Sequence, residues 1–294
     1  MKKLYSNKLT ICLFLLPAIL LFVGVLVAPI VMSLYYSFFD WDGISSTKTF
    51  VGFSNYKEMF TDDTINMGLA LKNTCILALL SVVIQLPLSL FLALLLAKGR
   101  KGERGFLSVY FMPVLISTVV IGQLWMKIYN PDYGILNVAL RSLGLEKWTR
   151  IWLGDKKTAL WAAFVPTLWQ YVGYHMLLLY AGVKSVPPEY REAAMIDGAR
   201  EGQINRYIII PYIKPILKIS VIFAVTGSFK SFDLIYVLTN GGPAGATQVP
   251  STRMIELLFT RNRYGMGSAI ATVLIVMCFV AALLIGFFFR EKED

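Results

Sequence analysis

The sequence is poor in the side chains that enzymes use for chemistry. Its 294 residues include one histidine, His175, so the two-histidine H-E-x-x-H motif of metalloproteases is impossible. The chain has neither a G-x-x-x-x-G-K-[ST] phosphate loop nor a G-x-S-x-G nucleophile elbow. These absences exclude ATP hydrolysis by this chain itself and argue against a membrane enzyme. We therefore expect a protein without catalytic residues.

Cysteine and charge are also scarce. Cys12, Cys75 and Cys278 lie in separate apolar runs, which predicts small buried apolar residues and neither a disulfide set nor a metal site. Charged residues make up 16% of the chain and hydrophobic residues 56%, whereas soluble proteins average about 25% charged residues. The net charge of +10 does not indicate nucleic acid, because no long basic stripe or RNA-binding motif is present. The composition predicts an integral membrane protein.

What the sequence does contain is apolar runs of membrane-spanning length. A helix needs about 20 residues to cross the hydrocarbon core. The first run is too long for a signal peptide and lacks a convincing cleavage site, so we read it as an uncleaved span. We predict an all-α integral membrane fold with six transmembrane helices, at residues 10–36, 71–97, 106–129, 158–183, 216–238 and 267–289.

The distribution of basic residues predicts the orientation of these spans. If the amino terminus is inside, Lys and Arg are roughly twice as dense in the inner segments as in the outer ones. The loop from Lys98 to Arg104 is the clearest inner anchor. Because basic residues collect in cytoplasmic loops, both termini are predicted to be cytoplasmic, and residues 184–215 then face the cytoplasm as well.

The longest polar segment between two apolar runs extends from Pro187 to Pro215. Uncompensated charges are costly in hydrocarbon, so this segment must lie in water. Pro188 and Glu189 suit the first turn of a helix, and Gly198 suits a bend. The sequence predicts two short helices around a corner. Seven charged residues fall within fewer than 20 positions of it: Glu189, Arg191, Glu192, Asp197, Arg200, Glu201 and Arg206.

The spacing of residues in this segment carries a family resemblance. Glu192-Ala193-Ala194, followed by Gly198, Ile208 and Pro211, resembles the EAA loop of ABC importer permeases, with Ile210 where the family usually has Leu. The sequence from Glu192 to Ala199 resembles the corresponding segment in the carbohydrate-uptake branch of this family. A generic amphipathic loop between two spans is the alternative interpretation.

The resemblance implies that this loop, between spans four and five, is a cytoplasmic coupling helix. In the family it docks into a cleft of a cytoplasmic ABC ATPase dimer, the partner that binds ATP and Mg²⁺; no cofactor is expected in this chain. The coupling residues it implies are Glu189, Glu192, Ala193, Ala194, Asp197, Gly198, Ile208 and Pro211.

Two further stretches extend the resemblance over residues 70–290. Ser228–Gln248 resembles the T-x-G-G-P segment of sugar permeases, and Tyr264–Ala271 resembles the entry into their last span. The resemblance implies a permease core at 71–290, preceded at 1–70 by an amino-terminal span and external loop. It also implies a heterodimer with a second permease subunit, an extracytoplasmic solute-binding protein, a bacterial-type cell membrane and a carbohydrate substrate, in particular an oligosaccharide. A permease for another solute class and a secondary transporter are the alternatives.

A hydroxyl-rich substrate needs hydrogen-bonding groups and aromatic faces, and two spans supply them. Gln170 and Tyr174 are four residues apart and share a helix face, as do Tyr171 and His175. Lys230 and Asp233 are opposite charges at helical spacing inside a span, which marks a functional site or a structural ion pair. Interhelical packing is the alternative role for the first group. The predicted substrate pathway comprises Trp169, Gln170, Tyr171, Tyr174, His175, Lys230 and Asp233, with Gln85, Gln123 and Trp125 as weaker candidates.

Overall fold

A computed structural model describes residues 8–99 and 101–290, and these are mostly helical. Residues 1–7 and 291–294, which the orientation prediction uses, lie outside the described residues, as does Arg100 of the basic loop. The α-helices are α1 Lys8–Phe22, α2 Ala28–Tyr36, α3 Ser54–Thr61, α4 Met67–Leu80, α5 Leu86–Leu96, α6 Glu103–Leu115, α7 Thr118–Ile128, α8 Ile135–Ser142, α9 Ala159–Lys184, α10 Pro188–Ile196, α11 Glu201–Ile204, α12 Ile210–Tyr212, α13 Lys214–Phe229, α14 Asp233–Thr239, α15 Pro250–Ile255 and α16 Tyr264–Phe288.

Several of these helices join through a turn of π-helix, and proline explains three of the joints. Pro29, Pro87 and Pro211 each stand at the second residue of the helix that follows such a turn. Proline has no N–H to donate to the carbonyl four residues earlier, so the turn widens. The N–H of the residue before each proline then bonds the carbonyl oxygen five residues earlier in the chain. The π-helical turns are Val23–Val27, Ser81–Gln85, Asn205–Ile209 and Glu256–Thr260.

Four helical stretches in the described residues are long and apolar enough to cross a membrane: Ile11–Tyr36, Met67–Leu96, Lys214–Thr239 and Tyr264–Phe288. The pair α6 and α7 makes a fifth if it counts as one span. These two helices meet at 96°, so the predicted third span is not a straight helix. The break falls at Ile116, whose backbone is extended, shortly after Pro113.

Helix α9, the predicted fourth span, has 26 residues but does not meet this apolar criterion. Polar residues such as Gln170 and His175 interrupt it, and both are buried. Helix α9 contacts α5, α6, α13 and α14. Half of its residues, Gln170 and His175 among them, are buried against these neighbours, so that side of the helix does not need to be apolar. Length and composition alone therefore identify four or five spans in the described part of the chain.

The chain divides into two compact units, of which the first contains the described residues up to Asn66 and Met254–Ile275. Its strands β1, Phe39–Asp40, and β2, Thr49–Phe50, form an antiparallel hairpin. Helix α3 supports this hairpin, because the Asn55 side-chain amide donates to the carbonyl oxygens of Ser37 at 2.8 Å and Phe39 at 2.9 Å.

Two polar contacts organise the rest of the first unit. Arg263 and Glu58 form an ion pair at 2.8 Å, which joins α3 to the residue before α16. In the hairpin loop, the N–H groups of Ile44 and Ser45 donate to Asp42 and lower the pKa of its carboxyl below the ordinary value. The hairpin loop and the entry to the last helix are thus both held by specific polar bonds.

The second unit contains Met67–Arg253 and the described residues from Val276 onward, with α9 at its centre. Helices α5 and α9 share an apolar core of Leu92, Ala93, Leu96, Val172, Met176 and Leu179. A second core joins α7 and α14 to the first half of α9 through Ile121, Ala163, Leu234 and Leu238.

The burial predicted for the three cysteines is wrong for two of them. Cys12 and Cys75 are exposed on this chain and Cys278 is half-buried. Apolar residues on the lipid-facing side of a membrane helix need no protein neighbour, so an apolar sequence context does not predict burial inside the chain.

Candidate functional site

The polar segment between α9 and α13 folds as a helical elbow, residues 185–213. Pro187 precedes α10, Pro188 begins it and Glu189 lies in its first turn. Helix α10 ends at Ile196 with Asp197 as its capping residue, and Gly198 then takes a positive φ of 78°. The N–H groups of Gly198 and Ala199 return to the last turn, at 3.1 and 2.9 Å, which is a left-handed helix cap. The predicted bend is therefore present at Gly198.

The outer face of α10 is fully accessible on this chain. Glu189, Glu192, Ala193 and Ile196 are all exposed and follow the spacing of one helix face. Ile196 is 87% exposed, which is unusual for a large apolar side chain on a polar elbow. Asp197, at the end of the same helix, is exposed as well.

The inner face of α10 packs against the body of the second unit. Ala194 and Ile208 are half-buried against a cluster of Val183, Ile204, Ile209 and Ile213, which also contacts Leu90 and Leu94 of α5. The two alanines of the motif therefore differ, since Ala193 faces outward and Ala194 faces inward. Pro211 is exposed at the far end of the elbow.

Charged contacts tie the elbow to neighbouring segments. Glu201 accepts a hydrogen bond from Arg191 of α10 and lies 3.6 Å from the Lys98 ammonium group. Lys184 pairs with Glu103 at 3.3 Å. The basic loop after α5 therefore lies at the same end of the unit as the elbow. Sequence reasoning did not predict the contact between Lys98 and Glu201, because nothing local links two residues about a hundred positions apart.

A cavity of about 430 Å³ lies among the helices of the second unit. Six of the seven predicted pathway residues line it: Gln170, Tyr171, Tyr174, His175, Lys230 and Asp233. Trp169 is not part of its wall. Its ring contacts that of Trp125 edge-on, with the ring centres 5.9 Å apart.

Burial divides the four α9 residues differently from the predicted pairing. Gln170 and His175 are 2% and 4% exposed, whereas Tyr171 and Tyr174 are 41% and 37% exposed. His175 Nδ1 lies 2.8 Å from the Ser220 hydroxyl of α13. All four side chains line the cavity, but the amide and the imidazole are buried whereas the two phenol rings are partly exposed.

Lys230 and Asp233 both line the cavity, but no ion pair joins them among the described residues. Residues three apart approach each other only within a continuous helix. Here α13 ends at Phe229, and α14 begins at Asp233. The interruption separates the two charges, so they stand on the cavity wall as separate groups.

Small hydroxyl side chains complete the wall, and the sequence reasoning missed them. Thr118, Thr167 and Ser231 line the cavity, and so do Ser81 and Ser228, whose hydroxyl oxygens lie 3.1 Å apart. Serine and threonine inside apolar runs were the available signal. Gln85, a weaker candidate, also lines the cavity. Within residues 8–99 and 101–290, no group of three His, Cys, Asp or Glu residues could hold a metal ion.

Apolar helices of membrane-spanning length, a cavity with polar side chains in its wall and a polar elbow in the same unit as that cavity define a multi-pass membrane transport protein. Residues 85–293 match the family described as the binding-protein-dependent transport system inner membrane component. The chain belongs to this family, which consists of transport permeases.

The similarity to characterised and solved relatives extends over nearly the whole chain. A probable ABC transporter permease protein of Pyrococcus horikoshii is 40% identical, with 93% of each chain covered. The diacetylchitobiose uptake system permease protein NgcF of Streptomyces coelicolor is 30% identical, covering 97% of this chain and 83% of that one. A chain of a bacterial alginate ABC transporter, solved with an alginate pentasaccharide-bound periplasmic protein, has a TM-score of 0.83 at 22% identity, covering 98% and 96%. This last likeness shows the fold.

Proposed function

We propose that this permease carries a carbohydrate, and an oligosaccharide in particular. The observation that supports this most is the chemistry of the cavity wall, where amide, imidazole, phenol and hydroxyl groups meet. Hydroxyl and amide groups bond the hydroxyls of a sugar, and aromatic rings cover its C–H surface. The uptake of diacetylchitobiose by a system containing a 30% identical permease supports the same substrate class.

The proposal includes six spans, with α9 counted as the fourth. Its 26 residues are sufficient to cross about 30 Å of hydrocarbon, and its polar side chains face other helices. Both termini and the elbow are on the cytoplasmic side in this arrangement. The density of basic residues supports this orientation, as does the proximity of Lys98 to the elbow residue Glu201.

In this proposal α10 is the coupling helix, and it docks into a cytoplasmic ATPase dimer that binds ATP and Mg²⁺. The exposed row of Glu189, Glu192, Ala193 and Ile196 is the docking face. A protruding isoleucine beside two carboxylates suits a cleft with an apolar floor and a basic rim. Ala194, Asp197, Gly198, Ile208 and Pro211 shape the elbow behind this face.

A second permease subunit completes the pathway, and an extracytoplasmic binding protein delivers the sugar. Lys230 and Asp233 are exposed on this chain, and a second subunit would cover them. ATP-driven closure of the ATPase dimer then moves the elbow. Because the elbow core includes residues of α5 and α9, that movement reaches the helices around the cavity. The pathway alternates its access between the two sides of the membrane.

Transport by the complete assembly in proteoliposomes tests the proposal. We expect ATP-dependent uptake of neutral oligosaccharides that requires the binding protein. We expect Glu192→Lys to abolish uptake by weakening ATPase docking, and a compensating charge change in the ATPase to restore it. Uptake of peptides or phosphate instead of sugars would refute the substrate class. Uptake that is independent of the ATPase would refute the coupling mechanism.

A further inference from the structure

Most buried polar side chains around the cavity have a hydrogen-bond partner. The Gln85 amide donates to the carbonyl oxygen of Leu168 at 2.9 Å, and His175 Nδ1 lies 2.8 Å from Ser220. Ser89, one turn further along α5, bonds the carbonyl oxygen of Val172 at 2.9 Å. This is the normal condition of folded proteins, in which about nine of ten buried polar groups are bonded.

Gln170 is the exception on this wall. It is 2% exposed, and its side-chain oxygen, Oε1, has no hydrogen-bond partner within the described ranges. A buried acceptor without a partner destabilises the fold, because it has lost its bonds to water and gained none in return. An apolar residue of similar size would avoid this cost. The amide at position 170 therefore calls for a functional reason.

The surroundings determine which end of the Gln170 amide is unsatisfied. Its nitrogen points to the carbonyl oxygen of Pro113, 3.5 Å away, in the last turn of α6. Carbonyls in the last turn of a helix lack helical partners and need external donors. The reverse orientation would place two oxygens against each other. The oxygen is thus the free end, and only a hydrogen-bond donor can satisfy it.

We infer that Gln170 Oε1 accepts a hydrogen bond from one hydroxyl group of the transported sugar and that it selects for that hydroxyl. This inference rests on the proposed carbohydrate substrate. Gln170 lines the cavity together with the exposed ring of Tyr171 and the buried imidazole of His175. A site with a buried acceptor discriminates strongly against an analogue that lacks the donor, because the acceptor then stays unpaired.

The oxygen is covered in this structure, so the side chain must turn toward the cavity to meet the sugar. Its bond to Pro113 is at the long limit for a hydrogen bond, so little is lost when the amide turns. Gln170 Oε1, which had no partner, then accepts a hydrogen bond from the sugar hydroxyl. The hydrogen bond to that hydroxyl therefore contributes more binding free energy than a bond to a side chain that must first give up a protein partner.

The first test measures thermal unfolding of the complete transporter without sugar. Gln170→Met removes the unsatisfied oxygen at similar volume and loses only the long 3.5 Å bond to Pro113, so the melting temperature should stay the same or rise. Gln85→Met is the matched control, since it removes the 2.9 Å bond to Leu168 and should lower the melting temperature. A fall with Gln170→Met as large as that with Gln85→Met would overturn the inference, because it would show that Gln170 is already satisfied at rest.

The second test measures maximal uptake into proteoliposomes at saturating, loaded binding protein. The probes are a panel of neutral saccharides, including maltotriose and diacetylchitobiose, and the monodeoxy derivatives of whichever probe is carried. The wild-type rate should fall about tenfold for one particular deoxy derivative. Gln170→Met should carry the parent sugar about tenfold more slowly and should not distinguish that derivative from it.

The outcomes separate this inference from the proposal beneath it. If the wild type carries none of the neutral saccharides, the carbohydrate assignment fails and the inference falls with it. If the wild type carries a sugar and Gln170→Met still discriminates against the same deoxy derivative, the inference alone is wrong. Ser89→Ala, a buried change outside the cavity wall, should retain the wild-type discrimination.

Discussion

Gly173 of α9 lies directly against the backbone of Tyr110 in α6, so closely that a Cβ at position 173 would overlap the tyrosine carbonyl oxygen. Small residues at such crossings let membrane helices approach to backbone distance, where van der Waals packing is greatest. The crossing lies one turn from the bond between Gln170 and Pro113. It therefore sets the separation of α6 and α9 beside the cavity.

We predict that Gly173→Ala destabilises the transporter by roughly 1–3 kcal/mol, because backbone cannot move aside as a flexible side chain can. The melting temperature of the purified complex measures this. Gly286→Ala is the control: it also lies within a helix, but its added methyl meets nothing within 4 Å on this chain. It should be neutral or slightly stabilising. Equal melting temperatures for the two variants would contradict the tight crossing.

At Gly198, the effect of a substitution should depend on how readily the new residue adopts a positive φ, and not on the size of its side chain. Its φ is 78°, yet no atom lies within 4 Å of the point that a Cβ would occupy, so strain is the only penalty on this chain. Asparagine enters the left-handed region more readily than alanine or valine. We expect Gly198→Asn to retain more ATP-driven uptake than Gly198→Ala, and Gly198→Val to retain least. A reversed order would show that contact with a partner, and not the bend, decides this position.

The ion cluster at the elbow should affect coupling more than stability. Lys98, Arg191 and Glu201 are partly exposed, so each pair contributes at most about 1 kcal/mol. Glu201→Gln removes the carboxylate that ties Arg191 of α10 to α11 and to Lys98, and we expect fewer sugars carried per ATP hydrolysed. The double variant with Arg191→Glu and Glu201→Arg should recover part of that ratio. If Glu201→Gln leaves the ratio unchanged, the cluster does not position α10 for the proposed coupling.

Tyr174 and Trp169 provide a matched pair of aromatic substitutions in α9. Both are about two-fifths exposed, but only Tyr174 lines the cavity. We expect Tyr174→Ala to lower uptake severalfold while the complex still assembles, as judged by size-exclusion chromatography. Trp169→Ala removes packing against Trp125 and should lower the melting temperature more than the rate. Normal uptake by Tyr174→Ala would reject the α9 pathway.

Features of the elbow that depend on neighbouring residues could be predicted from the sequence, whereas features that depend on a distant helix could not. The polar elbow and its bend follow from charges and a glycine that are adjacent in the chain. The opposite directions of Ala193 and Ala194 follow from the apolar cluster beneath α10, which includes Leu90 and Leu94 from a distant helix. A helix exposed to water on several sides gives no sequence signal for the side on which another segment will pack.

The sequence by itself determined that this is a helical membrane protein, that residues 187–215 are a polar, charged segment between two apolar runs, and which polar side chains occur within the apolar runs. These properties depend on hydrophobicity and charge, which each short segment carries alone. The tertiary structure decided the 96° bend between α6 and α7, the separation of Lys230 from Asp233 and the exclusion of Trp169 from the cavity. Each of these depends on where helices end and which distant residues meet, and no single segment contains that information.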